Sequence, residues 1–376
     1  MADSGITRTS LSRRSAIVAS LGMSACWQAA PTTAADDAPG NSSDEVPRTS
    51  LGLVIYCLKI RREHHRRRDP QFDLFHPLNF MAECVRCGAG GIQADLGSLT
   101  PAEAETLAER AAANDRFVEA ILRPPMRDDD LGRFEKDVVT ARRAGAVVAR
   151  GTIIPGRRYE QFKSLDEFRV AERAGEAAVR RAIPVLARHG MKLAIENHKD
   201  QRNDERVKLF ERTDSEYFGA CVDTGNSIAL CEDPMETIEA LAPWAMTVHL
   251  KDQSLARTPD GFLLADVPLG AGCLPLDRMV RRLKAARDDI RFSLELITRD
   301  PLRVPCLNAS FTDVFENFPA RDLAETIKLV EANAAATMPT VDSLSPPERL
   351  RQEEQNVVSS LRYAAEKLDL KPRQLS

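Results

Sequence analysis

Four polar residues interrupt apolar runs where core packing has no need of them: Glu196 in LAIENHKD, Asp223 in ACVDTGN, His249 in TVHLKD and Glu295 in SLELITRD. Gathered in a low-dielectric interior without a cation, three carboxylates and an imidazole would suffer desolvation and mutual repulsion on the order of several kcal/mol. A single divalent metal removes that objection. Taken one at a time, each residue also has a structural reading. A glutamate can form a buried salt bridge, a histidine can be satisfied in the core, and an aspartate can cap a turn. The order Glu, Asp, His, Glu on successive runs favours the metal centre.

Nearby side chains suit a substrate. His198, two positions after Glu196, could orient a ligand or relay a proton. Lys251 and Asp252 directly follow the His249 run, where they could bind hydroxyls or neutralise developing negative charge. Asn226 can hydrogen-bond a hydroxyl but carries no charge. The charge run from Arg61 to Arg68 reads as a solvated loop after the first apolar run, with attraction of a phosphate or carboxylate as the alternative.

Such groups must be held by a scaffold. Eight short apolar runs begin at residue 51: LGLVIYCL, GGIQADL, RFVEAIL, AVVARGTI, MKLAIEN, GACVD, AMTVHLK and RFSLELI. They are nearly continuous rather than alternating, as in strands covered on both faces, and amphipathic helical stretches separate them. Ser164 to Glu167 and Thr100 to Glu103 have capping-box spacing, Asp233 precedes a third helix, Pro184 predicts a kink and Gly190 a helix end. The expected fold class is therefore α/β, a (β/α)8 TIM barrel over residues 51–335, with function at the C-terminal ends of its strands. Residues 336–376 form a helical extension in which Leu350, Val357, Leu361, Ala364 and Leu368 make one apolar stripe, packed on the barrel or on a second subunit of a homo-oligomer.

The first 35 residues differ in kind. Arg13 and Arg14 precede a modestly apolar stretch and then the small residues Thr33, Ala34 and Ala35, which reads as a twin-arginine export signal and implies a periplasmic location, or a cytoplasmic one if the signal is not used. Cys26 as a lipidated cysteine is the alternative, and residues 36–50 read as a disordered linker. The eight cysteines are dispersed and mostly set among apolar neighbours, so small core residues are expected rather than a disulfide framework. Cys84 and Cys87 lack the second pair that a zinc site would need. A formal net charge of −4 gives no footprint for nucleic acid, and no apolar run is long enough to span a bilayer.

IENH, VDTGN, VHLKD and SLEL, with the glycine loop PLGAG at 268–272, make the sequence resemble the xylose-isomerase-like TIM-barrel superfamily, which includes sugar isomerases and epimerases, dehydratases and an apurinic-site endonuclease. The resemblance implies that Glu196, Asp223, His249 and Glu295 hold one divalent metal ion, Mn2+, Mg2+, Co2+ or Zn2+, and that Glu196 and Glu295 are the catalytic acid/base pair. It implies a metal-dependent isomerase or epimerase that moves a proton on a keto-sugar through a metal-stabilised enediolate. The same parts could serve a lyase or dehydratase, and a non-catalytic carbohydrate-binding barrel is a reading from another class. Asn226 departs from the family, many of whose epimerases place a substrate-gripping histidine there. The endonuclease reading fits poorly, because four of the six histidines, His64, His65, His76 and His189, lie away from the cluster.

Overall fold

A computed structural model describes residues 47–372 except Pro155. The export signal at 1–35, its Cys26 alternative and nearly all of the linker lie outside the described residues.

Each of the eight apolar runs contributes one parallel strand: β1 (Gly52–Val54), β2 (Gly91–Ala94), β3 (Phe117–Ile121), β4 (Val148–Gly151), β5 (Lys192–Glu196), β6 (Phe218–Asp223), β7 (Ala245–Leu250) and, after two strands outside the barrel, β10 (Phe292–Leu294). They close in the order β1-β10-β7-β6-β5-β4-β3-β2, with β2 returning to β1. This is the (β/α)8 TIM barrel. Side chains on both faces of the strands are buried, so runs without polar alternation are the stable solution.

The helix boundaries follow capping chemistry. Thr100 and Glu103 exchange reciprocal hydrogen bonds at the start of helix Pro101–Ala113, and the Asp233 carboxylate accepts from the amides of Met235 and Glu236. Ser164 caps helix Leu165–His189, which runs through Pro184 and ends at Gly190 with φ of +59°. The charge run at 61–68 is helical, within Lys59–Arg68. Arg61 pairs with Glu83 at 2.8 Å and Arg62 with Asp73 at 2.8 Å, which corrects the solvated-loop expectation and spends part of that charge within the fold.

The segment after β7 adds strands outside the barrel. Residues Asp252–Thr258 (β8) and Gly261–Val267 (β9) form an antiparallel hairpin, joined by β11 (Leu302–Val304) into a three-stranded sheet. Pro259-Asp260-Gly261 between two partly apolar stretches is a turn signal that explains it.

The C-terminal helix Pro346–Lys367 packs in cis. Val357, Leu361, Ala364 and Leu368 join the main hydrophobic core, whereas Leu350 is half-buried. The buried Glu353 carboxylate accepts from the backbone amides of Ile60 and Arg61 at 2.7 and 2.8 Å, which satisfies free donors at the start of helix Lys59–Arg68. All seven described cysteines are free, and all but Cys273 are buried. Among the described residues no helix is long and apolar enough to cross a membrane.

Candidate metal centre

The register of the parallel strands gathers the strand-end residues. Asp223 pairs with His249 across β6 and β7, Glu196 ends β5, and Glu295 follows the last residue of β10. One donor atom from each of Glu196, Asp223, His249 and Glu295 lies within 4.8 Å of all the others, and all four residues are buried. His249 Nδ1 is 3.4 Å from Glu295 Oε2, 3.6 Å from Glu196 Oε2 and 4.0 Å from Asp223 Oδ2.

The ring of His249 is oriented from below. Its Nε2 lies 2.7 Å from Gln93 Oε1 on β2. The Gln93 amide is itself fixed, because its Nε2 donates to Glu119 Oε2 on β3 at 3.0 Å, and that oxygen also accepts from Thr247 Oγ1 at 2.9 Å. An amide oxygen can only accept, so Nε2 must carry a proton. Nδ1 then faces the carboxylates with no hydrogen-bond partner.

Asp223 is clamped just as firmly. Its amide donates to Asn197 Oδ1 at 2.6 Å, and its Oδ1 accepts from the amides of Gly225 and Asn226 at 2.9 and 2.8 Å. Its Oδ2 points to the centre, where Lys251 Nζ lies 3.0 Å away. A buried polar atom left unpaired is costly, and Nδ1 is one, set among converging carboxylate oxygens that suit a cation. The residues present therefore fit a divalent metal ion, with an imidazole nitrogen and carboxylate oxygens as its donors.

The structure revises the repulsion argument made from sequence. Three side-chain cations already accompany the three carboxylates. Arg150, at the end of β4, directs Nε to Glu196 Oε2 at 2.7 Å and brings a terminal nitrogen onto the same oxygen. Lys251 Nζ lies 2.8 Å from Glu295 Oε2 and 3.0 Å from Asp223 Oδ2. Lys199 Nζ, also buried, bonds Asn226 Oδ1. The unpaired Nδ1 and the convergence of four donor atoms, rather than uncompensated charge, carry the case for a metal.

These charges set the protonation states. Burial alone would raise Glu196, but Arg150 and His249 hold it well below the usual carboxylate range; Lys251 and His249 do the same for Glu295. Burial lifts Asp223 to about 6 despite Lys251. Lys199 is lowered to about 8 by burial and by Lys251.

The expected substrate groups are placed unequally. Lys251 stands in the centre. Asn226 is fully buried and acts as a strut, donating Nδ2 to Glu196 Oε1 at 2.9 Å while its Oδ1 accepts from both lysines. His198 is only partly buried, with Nδ1 bonded to Gly156 O at 3.1 Å. Asp252 is diverted from the substrate role expected of it. Its two oxygens accept from the amides of Gln253, Gly270, Gly272 and Leu274, which ties the hairpin to the 268–272 loop. A Cβ at Gly272 would lie 2.2 Å from Asp252 Oδ1, so the loop needs glycine there.

Above the centre opens a cavity of about 250 Å³ bordered by Arg157, Glu160, His198, Lys199, Lys251, Glu295 and Arg299. Glu295 borders it, whereas Glu196 lies beneath, engaged by Arg150 and Asn226. Sequence reasoning missed Arg150, Gln93, Glu119 and Lys199. The first three interrupt apolar runs just as the four donors do, so the same signal could have found them.

The sequence profile of the xylose isomerase-like TIM barrel family matches residues 81–328. The chain belongs to this family. A 3-oxo-isoapionate decarboxylase of Pectobacterium atrosepticum is 27% identical over 121 residues, 32% of this chain and 44% of the relative. The chain thus spans less than half the length of that curated relative. A solved D-psicose 3-epimerase superposes with a TM-score of 0.50 at 12% identity, covering 77% of this chain and 92% of the other. The probable 3-DHS dehydratase AsbF of Bacillus anthracis does so with a TM-score of 0.50 at 14% identity, covering 66% and 92%. At such identities the superpositions establish the fold alone.

Proposed function

We propose that this chain is a metal-dependent isomerase or epimerase of a keto-sugar or related polyol ketone, working by proton transfer at the carbon beside the carbonyl. The observation that carries the reading is the convergence of the unpaired His249 Nδ1 with carboxylate oxygens of Asp223 and the two glutamates beneath a small polar cavity. Glu196, Asp223, His249 and Glu295 would hold Mn2+, Mg2+, Co2+ or Zn2+. When bound, the ion would polarise the carbonyl and favour loss of the neighbouring proton.

The protein's own groups divide the remaining work. Glu295 borders the cavity and is the better placed of the two glutamates to take and return the proton. Glu196, whose oxygens are occupied by Arg150 and Asn226, fits the role of ligand better than that of second base, a revision of the paired-glutamate expectation. Lys251, 2.8 Å from Glu295, can steady negative charge on the substrate oxygen or supply the opposing proton. The family relationship supports a sugar-modifying enzyme. Export by the twin-arginine route is proposed from the sequence of residues 1–35 alone.

A second reading is a lyase. The decarboxylase relative would generate the same carbanion beside a carbonyl by breaking a carbon–carbon bond instead of a carbon–hydrogen bond. Incubation of the Mn2+-loaded protein with keto-sugars and 3-oxo sugar acids in D2O separates the two. Solvent deuterium entering intact sugar supports proton transfer, and stoichiometric CO2 release supports the lyase. Metal-dependent binding with neither outcome would leave a carbohydrate-binding barrel.

A further inference from the structure

We propose that the cavity above the metal centre carries a subsite for an anionic end group, a carboxylate or a phosphate, with Lys199 as its anchor. The inference rests on the reading of this cavity as the substrate site. Lys199 is 4% exposed, and its ammonium bonds only the neutral amide oxygen of Asn226, without an ion pair among the described residues. The other bordering cations differ. Arg157 is matched by Glu160 at 2.5 Å, Lys251 by Glu295 at 2.8 Å, and Arg299 has Asp266 at 3.6 Å.

A desolvated ammonium without a counter-ion is unfavourable and is normally paired or neutralised. Its presence beside an accessible cavity means that the missing anion arrives with the ligand. Arg157 and Arg299, each partly exposed at the same rim, lengthen the cationic side. Lys199 is not an accident of a mobile chain, because its carbonyl accepts from the amide of Arg158 at 2.8 Å and its head is held by Asn226. At about 250 Å³ the cavity suits a small metabolite rather than a polymer end.

The test uses three sugars alike except at the terminal carbon: neutral D-fructose, D-fructuronate with a carboxylate, and D-fructose 6-phosphate. Their affinities for the Mn2+-loaded full chain are measured by calorimetry in wild type, Lys199→Met and Lys199→Arg. One charge-assisted contact predicts that at least one anionic sugar binds about ten- to a hundredfold more tightly than D-fructose, and which one does so distinguishes carboxylate from phosphate. Lys199→Met should erase the preference, and Lys199→Arg should retain much of it. Absence of an anion preference in wild type, or a preference that survives Lys199→Met, overturns the proposal. Deuterium exchange recorded on the same samples keeps the two readings apart. Preference without exchange counts against proton transfer while the subsite stands, and exchange without preference does the reverse.

Discussion

Arg150 provides the sharpest test of how this centre balances charge. Replacement by Met keeps most of the buried aliphatic volume and removes the guanidinium from Glu196 Oε2. Glu196 is fully buried, and its remaining partners are Asn226 Nδ2 at 2.9 Å and the His249 ring at 3.6 Å. Stripping one partner from a buried ion pair costs about 3–5 kcal/mol, mostly as the penalty of the charge left behind. At about 2 °C per kcal/mol for a chain of this size, the metal-free variant should melt roughly 6–10 °C below wild type.

The opposite should hold for metal affinity. Loss of a cation beside a ligand carboxylate makes the centre more negative, so Mn2+ recovers part of the penalty on binding. If it recovers only about 1.4 kcal/mol, affinity tightens about tenfold, and the melting deficit shrinks when the ion is saturating. Calorimetric titration with Mn2+ and thermal unfolding with and without the ion measure both effects. An equal deficit in the two conditions, or weaker Mn2+ binding, would refute the charge argument and make Arg150 a support for the position of Glu196 rather than for its charge.

Other outcomes follow from the same geometry. Glu295→Gln should lower solvent deuterium exchange by on the order of 10²-fold or more without changing the circular dichroism spectrum, and unaltered exchange would remove Glu295 from the proton-transfer role. Gln93→Leu frees the His249 ring and should weaken Zn2+ binding about 10- to 100-fold, whereas unchanged affinity would show that strand packing alone orients it. Burial opposes charge on His249, but Cys221 and the carboxylates of Glu295 and Glu196 outweigh it and raise the ring well above its ordinary value, so without metal the ring holds a proton that the ion must displace. Affinity should therefore rise with pH, with about one proton released per ion, as calorimetry in buffers of different ionisation enthalpy will read. Burial raises Glu353 to about 7, so the folded chain keeps a proton that the unfolded chain loses at about 4.5. Its contribution is complete below that lower value and fades as pH rises through about 7, by up to roughly 3 kcal/mol, and denaturant titrations of Glu353→Gln should show a flatter pH profile over that window.

The barrel was legible because it rests on patterns that short stretches of chain reveal. Runs buried on both faces lose polar alternation, and Thr100 and Asp233 mark helix starts by local hydrogen bonding. Glu196, Asp223, His249 and Glu295 were legible for a related reason, since a polar residue closing an apolar run demands a partner. What that signal cannot supply is the partner's identity. Arg150 meets Glu196 only because β4 and β5 lie side by side, and Gln93 meets His249 across the barrel interior. The hairpin β8–β9 was missed because its strands are mixed in polarity, and with it the true role of Asp252, which reads as a free strand-end acid until four backbone amides are found around it.

The placement of the cations has a consequence for how such a centre could work. A site whose carboxylates were balanced by metal alone would change its charge by the full charge of the ion on losing it. Here Arg150 and Lys251 hold Glu196, Asp223 and Glu295 in place by ion pairing, so the donors are organised ahead of the ion. Arg150, Lys251 and Lys199 equal the three carboxylates in number, so a bound divalent ion leaves the centre with surplus positive charge facing the cavity. That surplus opposes a second cation and favours both negative charge developing on a reacting oxygen and an anionic group brought by the substrate. Lys199 is the buried cation that has no carboxylate of its own, and it borders the cavity where such a group would enter. The same electrostatic arrangement thus links preorganised ligands, stabilisation of negative charge during reaction, and selection of the molecule that reacts.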